Sequence, residues 1–71
     1  MKYAVVDTNK AVASGLKEEY HVLSHDKSRM IVNENELATL GEPEKQARRL
    51  GGELISRKEL NVILKSEIWN R

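Results

Sequence analysis

At 71 residues the chain is long enough for one small domain, which we expect to span residues 1–71. It has no cysteine, which excludes a disulfide framework and the usual kind of zinc finger and is typical of a reducing cytoplasm, where we place the protein. Twelve basic side chains stand against 11 acidic ones, and no apolar run is long enough to cross a membrane, so we expect a soluble protein without a membrane partner.

The chain opens with an apolar segment, residues 1–7, that we predict to be a strand. Its centre reads AVV without polar alternation, which is typical of a strand buried on both faces. Asp7 then introduces turn and helix-cap chemistry. Residues 8–16 fit either a short helix that Asp7 caps and Gly15 ends, or a second strand. We favour the helix.

The segment Val5-Val6-Asp7-Thr8-Asn9 resembles the opening strand of PIN-domain ribonucleases, which often reads apolar-apolar-Asp-Thr-Asn. In that family the aspartate at the strand end is a magnesium ligand, so the resemblance implies that role for Asp7. It covers five residues of 71. The later acidic residues (Glu18, Glu19, Glu34 and Glu36) do not match the family's context, and the chain is much shorter than a PIN domain. We therefore favour a cap or turn role for Asp7.

Residues 20–33 form the clearest hairpin in the sequence. Two runs, YHVLS and RMIVN, flank the polar centre HDKS. Whether the loop has two residues or four, the pairing puts Leu23 opposite Met30 and Val22 opposite Ile31. Because the loop contains no glycine, we expect a type I turn within a longer loop.

Two histidines, His21 and His25, have the i, i+4 spacing that places metal ligands on one face of a helix. In a strand that spacing is about 13 Å, too far for one ion. We therefore predict no metal site.

One pattern, apolar-apolar-cap-polar-polar-Glu-Leu, occurs at residues 31–37 and again at 54–60. In each copy Asn33 or Ser56 can cap a helix, and the glutamate three residues later can complete a capping box. We interpret the match as convergence, with a duplication as the alternative.

Between the two copies Gly41 ends one short helix, and Pro43 begins another that runs to about Leu50 with Ala47 inward. If both strand ends lie at the same sheet edge, strands 29–33 and 53–55 run parallel. The two short helices then form a right-handed crossover between them.

The last predicted helix, 57–67, carries an apolar stripe at helical spacing. We expect this helix to organise the core, through the side chains Leu60, Ile63, Leu64 and Ile68.

A group of basic residues lies on either side of Gly51-Gly52 and invites comparison with a helix-turn-helix. The strand-like segment 53–55 makes the turn too long for that motif, and interleaved glutamates reduce the attraction to phosphate. Nucleic acid is therefore the alternative partner, through Lys45, Arg48, Arg49, Arg57 and Lys58.

On an ideal helix Val62 and Trp69 lie within about 20° of each other, opposite the apolar stripe. Tryptophan is enriched at the centres of interfaces. We therefore predict that Val62, Lys65 and Trp69 contact a partner, with Trp69 packed on its own domain edge as the competing interpretation.

Together these patterns predict an α+β domain with a small mixed sheet of three or four strands, two or three helices mainly on one face, and the C-terminal helix 57–67. The sequence contains no recognisable acid–base pair, nucleophile triad or phosphate loop. We predict a non-enzymatic interaction or adaptor module that binds a protein or self-associates, with no catalytic residue, cofactor or small-molecule ligand. A nucleic-acid-binding protein is the alternative.

Overall fold

The computed structural model describes residues 1–66 and residue 69. Four strands form one sheet and four α-helices pack around it, which confirms the predicted α+β class. The elements are β1 (Tyr3–Asp7), α1 (Thr8–Ala13), a 3₁₀ turn (Glu18–Tyr20), β2 (Val22–Leu23), β3 (Arg29–Asn33), α2 (Glu34–Ala38), α3 (Pro43–Arg49), β4 (Leu54–Ile55) and α4 (Arg57–Leu64).

The sheet has the strand order β2-β3-β1-β4, so the first strand of the chain is an inner strand. Every pair of neighbours is antiparallel. The prediction of a mixed sheet is therefore wrong. Strands β3 and β4 do run in the same direction, as expected from their equal helix junctions, but β1 lies between them and is antiparallel to both.

Strands β1 and β3 alternate between a fully buried face and a half-buried face. On the buried face Ala4 lies opposite Val32, and Val6 lies opposite Met30. Helices α1, α2 and α3 cover this face, and their buried side chains complete one apolar cluster: Ala11, Leu37, Ala47 and Leu50. The predicted inward positions of the third helix, Ala47 and Leu50, are confirmed.

The C-terminal helix covers the opposite, half-buried face of the sheet. Its Leu60 is 4% exposed but does not belong to the main cluster. The Arg57 guanidinium lies 5.7 Å from the centre of the Tyr3 ring, and Ile63 and Val5 line a common groove. The expectation that this helix organises the core is therefore wrong. It forms a smaller second layer.

The repeated strand–helix junction explains why α2 and α4 lie on different faces. Both copies form the predicted capping box, around Asn33 and around Ser56. The two copies pair with β1 in registers that differ by one residue. Tyr3 lies opposite the cap residue Asn33 in the first copy, but in the second copy it lies opposite Ile55, the residue before the cap. Because side chains alternate along a strand, this difference of one residue reverses the face toward which the chain leaves the sheet.

The hairpin has the predicted register, with Leu23 opposite Met30 and Val22 opposite Ile31. Its first strand is shorter than predicted, because Tyr20 lies in the 3₁₀ turn.

The hairpin loop closes with a bond from the Lys27 N–H to the Ser24 carbonyl oxygen at 2.9 Å, and Lys27 has φ +64°. This is a turn within a longer loop, as predicted. Hydrogen bonds from the Ser28 hydroxyl, the Ser28 N–H and the Ser24 hydroxyl hold the pKa of Asp26 below its usual value.

Residues 8–13 form the short helix favoured by the sequence. The Asp7 carboxylate accepts a hydrogen bond from the Lys10 N–H at 2.9 Å, which caps α1. The chain then turns at Gly15, where φ is +102°. Asp7 thus takes the cap role that sequence reasoning preferred.

We expect Ser56→Ala and Asn33→Ala each to lower the free energy of unfolding by about 1 kcal/mol. Each substitution removes an oxygen that accepts from the backbone N–H of Glu59 or Glu36, at 3.2 and 2.9 Å. In so small a domain the melting temperature should fall by roughly 4–8 °C. Thermal unfolding followed by circular dichroism measures both variants.

The matched control is Asn35→Ala, since Asn35 is exposed in the first turn of α2 and does not cap it. Equal melting temperatures for the wild-type protein, both cap variants and this control would contradict the paired-cap interpretation.

Candidate functional site

The outer surface of α4 carries the predicted interface residue Val62. Its side chain is 71% exposed, whereas Leu60 on the same helix is buried. Lys58 and Lys65 are also exposed, and the spacing of i, i+4 and i+7 places Lys58, Val62 and Lys65 on one side of the helix. An apolar side chain with a lysine at either end therefore faces outward.

The helical projection that placed Trp69 beside Val62 does not hold in the structure. Helix α4 ends at Leu64, and the N–H groups of Lys65 and Ser66 bond to carbonyl oxygens three residues back. The projection at 100° per residue therefore does not extend to residue 69, and the predicted helix end at residue 67 lies outside the described residues. Trp69 is half-buried, and its indole nitrogen is shielded from solvent. Its contact with a partner remains a prediction.

The five basic residues proposed for nucleic-acid contact lie on two helices that pack on opposite faces of the sheet. Three of them, on α3, have neighbours on the same helix: Lys45 Nζ is 3.6 Å from Glu42, Arg48 Nη2 is 3.2 Å from Glu44, and Arg49 Nε is 2.7 Å from Gln46.

The other two basic residues belong to α4. Arg57 donates to the Tyr3 hydroxyl at 3.2 Å, and Lys58 is exposed beside it. The structure therefore does not gather the five residues into one stripe along a single helix.

His21 has a structural role that sequence reasoning missed. Its side chain is 6% exposed, its Nε2 is hydrogen-bonded with the Glu36 carboxylate, and its Nδ1 lies 2.5 Å from the Lys17 carbonyl oxygen. Glu36 also completes the cap of α2. The histidine therefore joins the 3₁₀ turn to α2, while His25 is exposed in the hairpin loop.

A groove of about 390 Å³ lies between the half-buried face of the sheet and α4. Its apolar wall consists of Val5, Ile55 and Ile63. Its polar side consists of Arg29, Glu53 and the backbone of Gly51 and Gly52. The volume is within the range of small-molecule sites, about 300–1,000 Å³.

Arg29 is the principal charged group of the groove. It is half-buried on β3, and its Nη2 donates to the Val5 carbonyl oxygen at 3.1 Å and approaches that of Gly51 at 3.5 Å. In the sequence this residue is predicted only as part of an apolar strand. Its role could have been inferred from the alternation of the strand: Met30 and Val32 face the core, so Arg29 lies on the opposite face of the sheet.

Within residues 1–66 and 69, no group of three or more His, Asp or Glu side chains is placed to hold a metal ion. The same part of the chain contains no helix with the length and apolar character needed to cross a membrane. Comparisons with protein-family models, with curated proteins and with solved structures found no match to this chain.

Proposed function

We propose that the protein is a non-enzymatic interaction module that binds a protein partner through the outer side of α4. The observation that carries this proposal is Val62, a large apolar side chain with 71% exposure on a helix whose opposite side is buried. An apolar centre with a polar and charged rim is the usual composition of a protein–protein contact.

The preferred partner carries an apolar pocket with acidic residues around it. Lys58 is exposed one helical turn before Val62, and it favours carboxylates across the interface. A second copy in a twofold dimer would instead bring the Lys58 side chains of both helices to the same interface. Like charges so placed oppose association.

The structural roles of five acidic residues support the non-enzymatic part of the proposal. Asp7, Glu36 and Glu59 accept backbone hydrogen bonds at helix starts. Glu42 and Glu44 pair with basic side chains on α3. These carboxylates have structural roles that do not require catalysis.

We expect Val62→Glu to reduce partner binding at least tenfold, because it removes the apolar anchor and places a negative charge against an acidic rim. The exposed position and the good helix propensity of glutamate should leave the melting temperature unchanged. Binding is measured by affinity capture from the source cell at 50 and 300 mM salt, with the captured protein then titrated in purified form. Salt should weaken the interaction.

The matched control is Val12→Glu, which makes the same change at an exposed valine on α1. Partner binding that survives in the control and is lost in Val62→Glu supports the proposal. Equal loss in both variants, or none in either, contradicts it. If the purified wild-type protein sediments as a dimer and Val62→Glu as a monomer, the partner at this surface is a second copy of the chain and not an acidic protein.

A further inference from the structure

The groove beneath α4 contains an arginine, Arg29, that bonds to no carboxylate of the described residues. The guanidinium uses Nη2 for backbone carbonyl oxygens, and within the described residues it forms no ion pair. Asp7 is its cross-strand neighbour, but the Asp7 carboxylate caps α1 instead. Arg29 is half-buried, and a partly desolvated cation without an ion pair favours the approach of an anion.

The donors of Arg29 are only partly used by the protein. A guanidinium has five N–H donors, and Nε and Nη1 form no hydrogen bond with the described residues. A carboxylate that enters the groove can therefore accept from this side chain without displacing the bond to Val5. Hydrogen bonds between a guanidinium and a carboxylate are among the stronger ones in proteins.

The rest of the groove restricts the kind of anion. Val5, Ile55 and Ile63 provide an apolar wall that suits an aliphatic group. Glu53 lies on the polar side and, like Asp7 beside Arg29, adds negative charge. The repulsion from these carboxylates increases with the charge of the ligand, so it disfavours phosphate or a dicarboxylate more than an anion with a single negative charge.

We propose that this groove binds a small monocarboxylate with a branched aliphatic body. The carboxylate accepts from Arg29, and the aliphatic part lies on Val5, Ile55 and Ile63. The same chemistry is present in a free branched-chain acid and in an aliphatic residue at the carboxyl end of a peptide. Binding here is separate from the contact proposed for Val62, which lies on the outer side of α4.

The test is a titration of the ¹⁵N-labelled protein, followed by amide chemical shifts, with four probes. Isovalerate represents the free acid and N-acetyl-leucine the end of a peptide, while isoamyl alcohol and inorganic phosphate separate the apolar part from the charge. For a ligand of roughly seven non-hydrogen atoms we expect a Kd on the order of 1 mM. The shifts should saturate at Val5, Gly52, Ile55 and Ile63.

Arg29→Gln should weaken binding of both carboxylates at least tenfold, and the matched control Arg49→Gln should leave it unchanged. If Arg29→Gln does not fold, Ile63→Ala supplies the second variant and should weaken isovalerate binding several-fold. The tighter of the two carboxylates identifies the source of the ligand. The proposal is overturned if phosphate or the alcohol saturates the shifts with the same affinity as the carboxylates. It is also overturned if neither folded variant weakens carboxylate binding, or if no saturable shift occurs up to about 50 mM.

Discussion

Gly52→Ala should abolish the native fold or lower the free energy of unfolding by about 3 kcal/mol or more, at the upper end of the cost of overpacking. A β-carbon at this position would lie 2.2 Å from the Val5 carbonyl oxygen and 3.2 Å from a methyl group of Val6. The first of these atoms belongs to the backbone of an inner strand, so no rotamer change can relieve the contact. Strand β1 would have to move away from residues 51–55.

Thermal unfolding and the dispersion of amide chemical shifts measure this effect. The matched control is Gly15→Ala, where a β-carbon meets no heavy atom within 4 Å and only the backbone angle, φ +102°, opposes the side chain. Strain of that kind costs about 1–3 kcal/mol. If Gly52→Ala is as stable as Gly15→Ala, the close approach between β1 and the Gly51-Gly52 segment is wrong.

Leu37→Ala should cost about 2–5 kcal/mol, through lost burial and the cavity that remains. Leu37 is fully buried in the cluster between the sheet and helices α1–α3. Leu64→Ala should cost less, because Leu64 is half-buried on α4. From the sequence alone Leu64 is expected to belong to the main core, so this comparison tests the revised position of the C-terminal helix.

Urea unfolding of the two variants gives the free energies, and Val62→Ala serves as an exposed control that should be nearly silent. A larger loss for Leu64→Ala than for Leu37→Ala would contradict the assignment of the main core to α1–α3.

Features that depend on a few neighbouring residues could be predicted from the sequence. The caps at Asn33 and Ser56 follow from a polar oxygen three residues before a glutamate. The hairpin register follows from two apolar runs and a short loop. The exposure of Val62 follows from helical periodicity on a regular helix.

Features that depend on distant residues could not be predicted. The face to which α4 belongs depends on whether Ile55 or Ser56 lies opposite Tyr3, and no local pattern specifies that register. The groove combines residues from β1, β3, the 51–55 segment and α4, so its residues share no spacing along the chain. The position of Trp69 required knowledge that α4 ends at Leu64.

The inner position of β1 has a consequence for the order in which the chain can assemble. Of the four strands this one is synthesised before the others, yet one of its edges pairs with residues 29–33 and the other with residues 54–55. The 22–33 hairpin and the capped helix starts can form locally, but the sheet is complete only when Ile55 reaches Tyr3. Pairing between such distant residues slows folding, because loop closure precedes the contacts that compensate for it. Until then the open edge of β1 can pair with another chain.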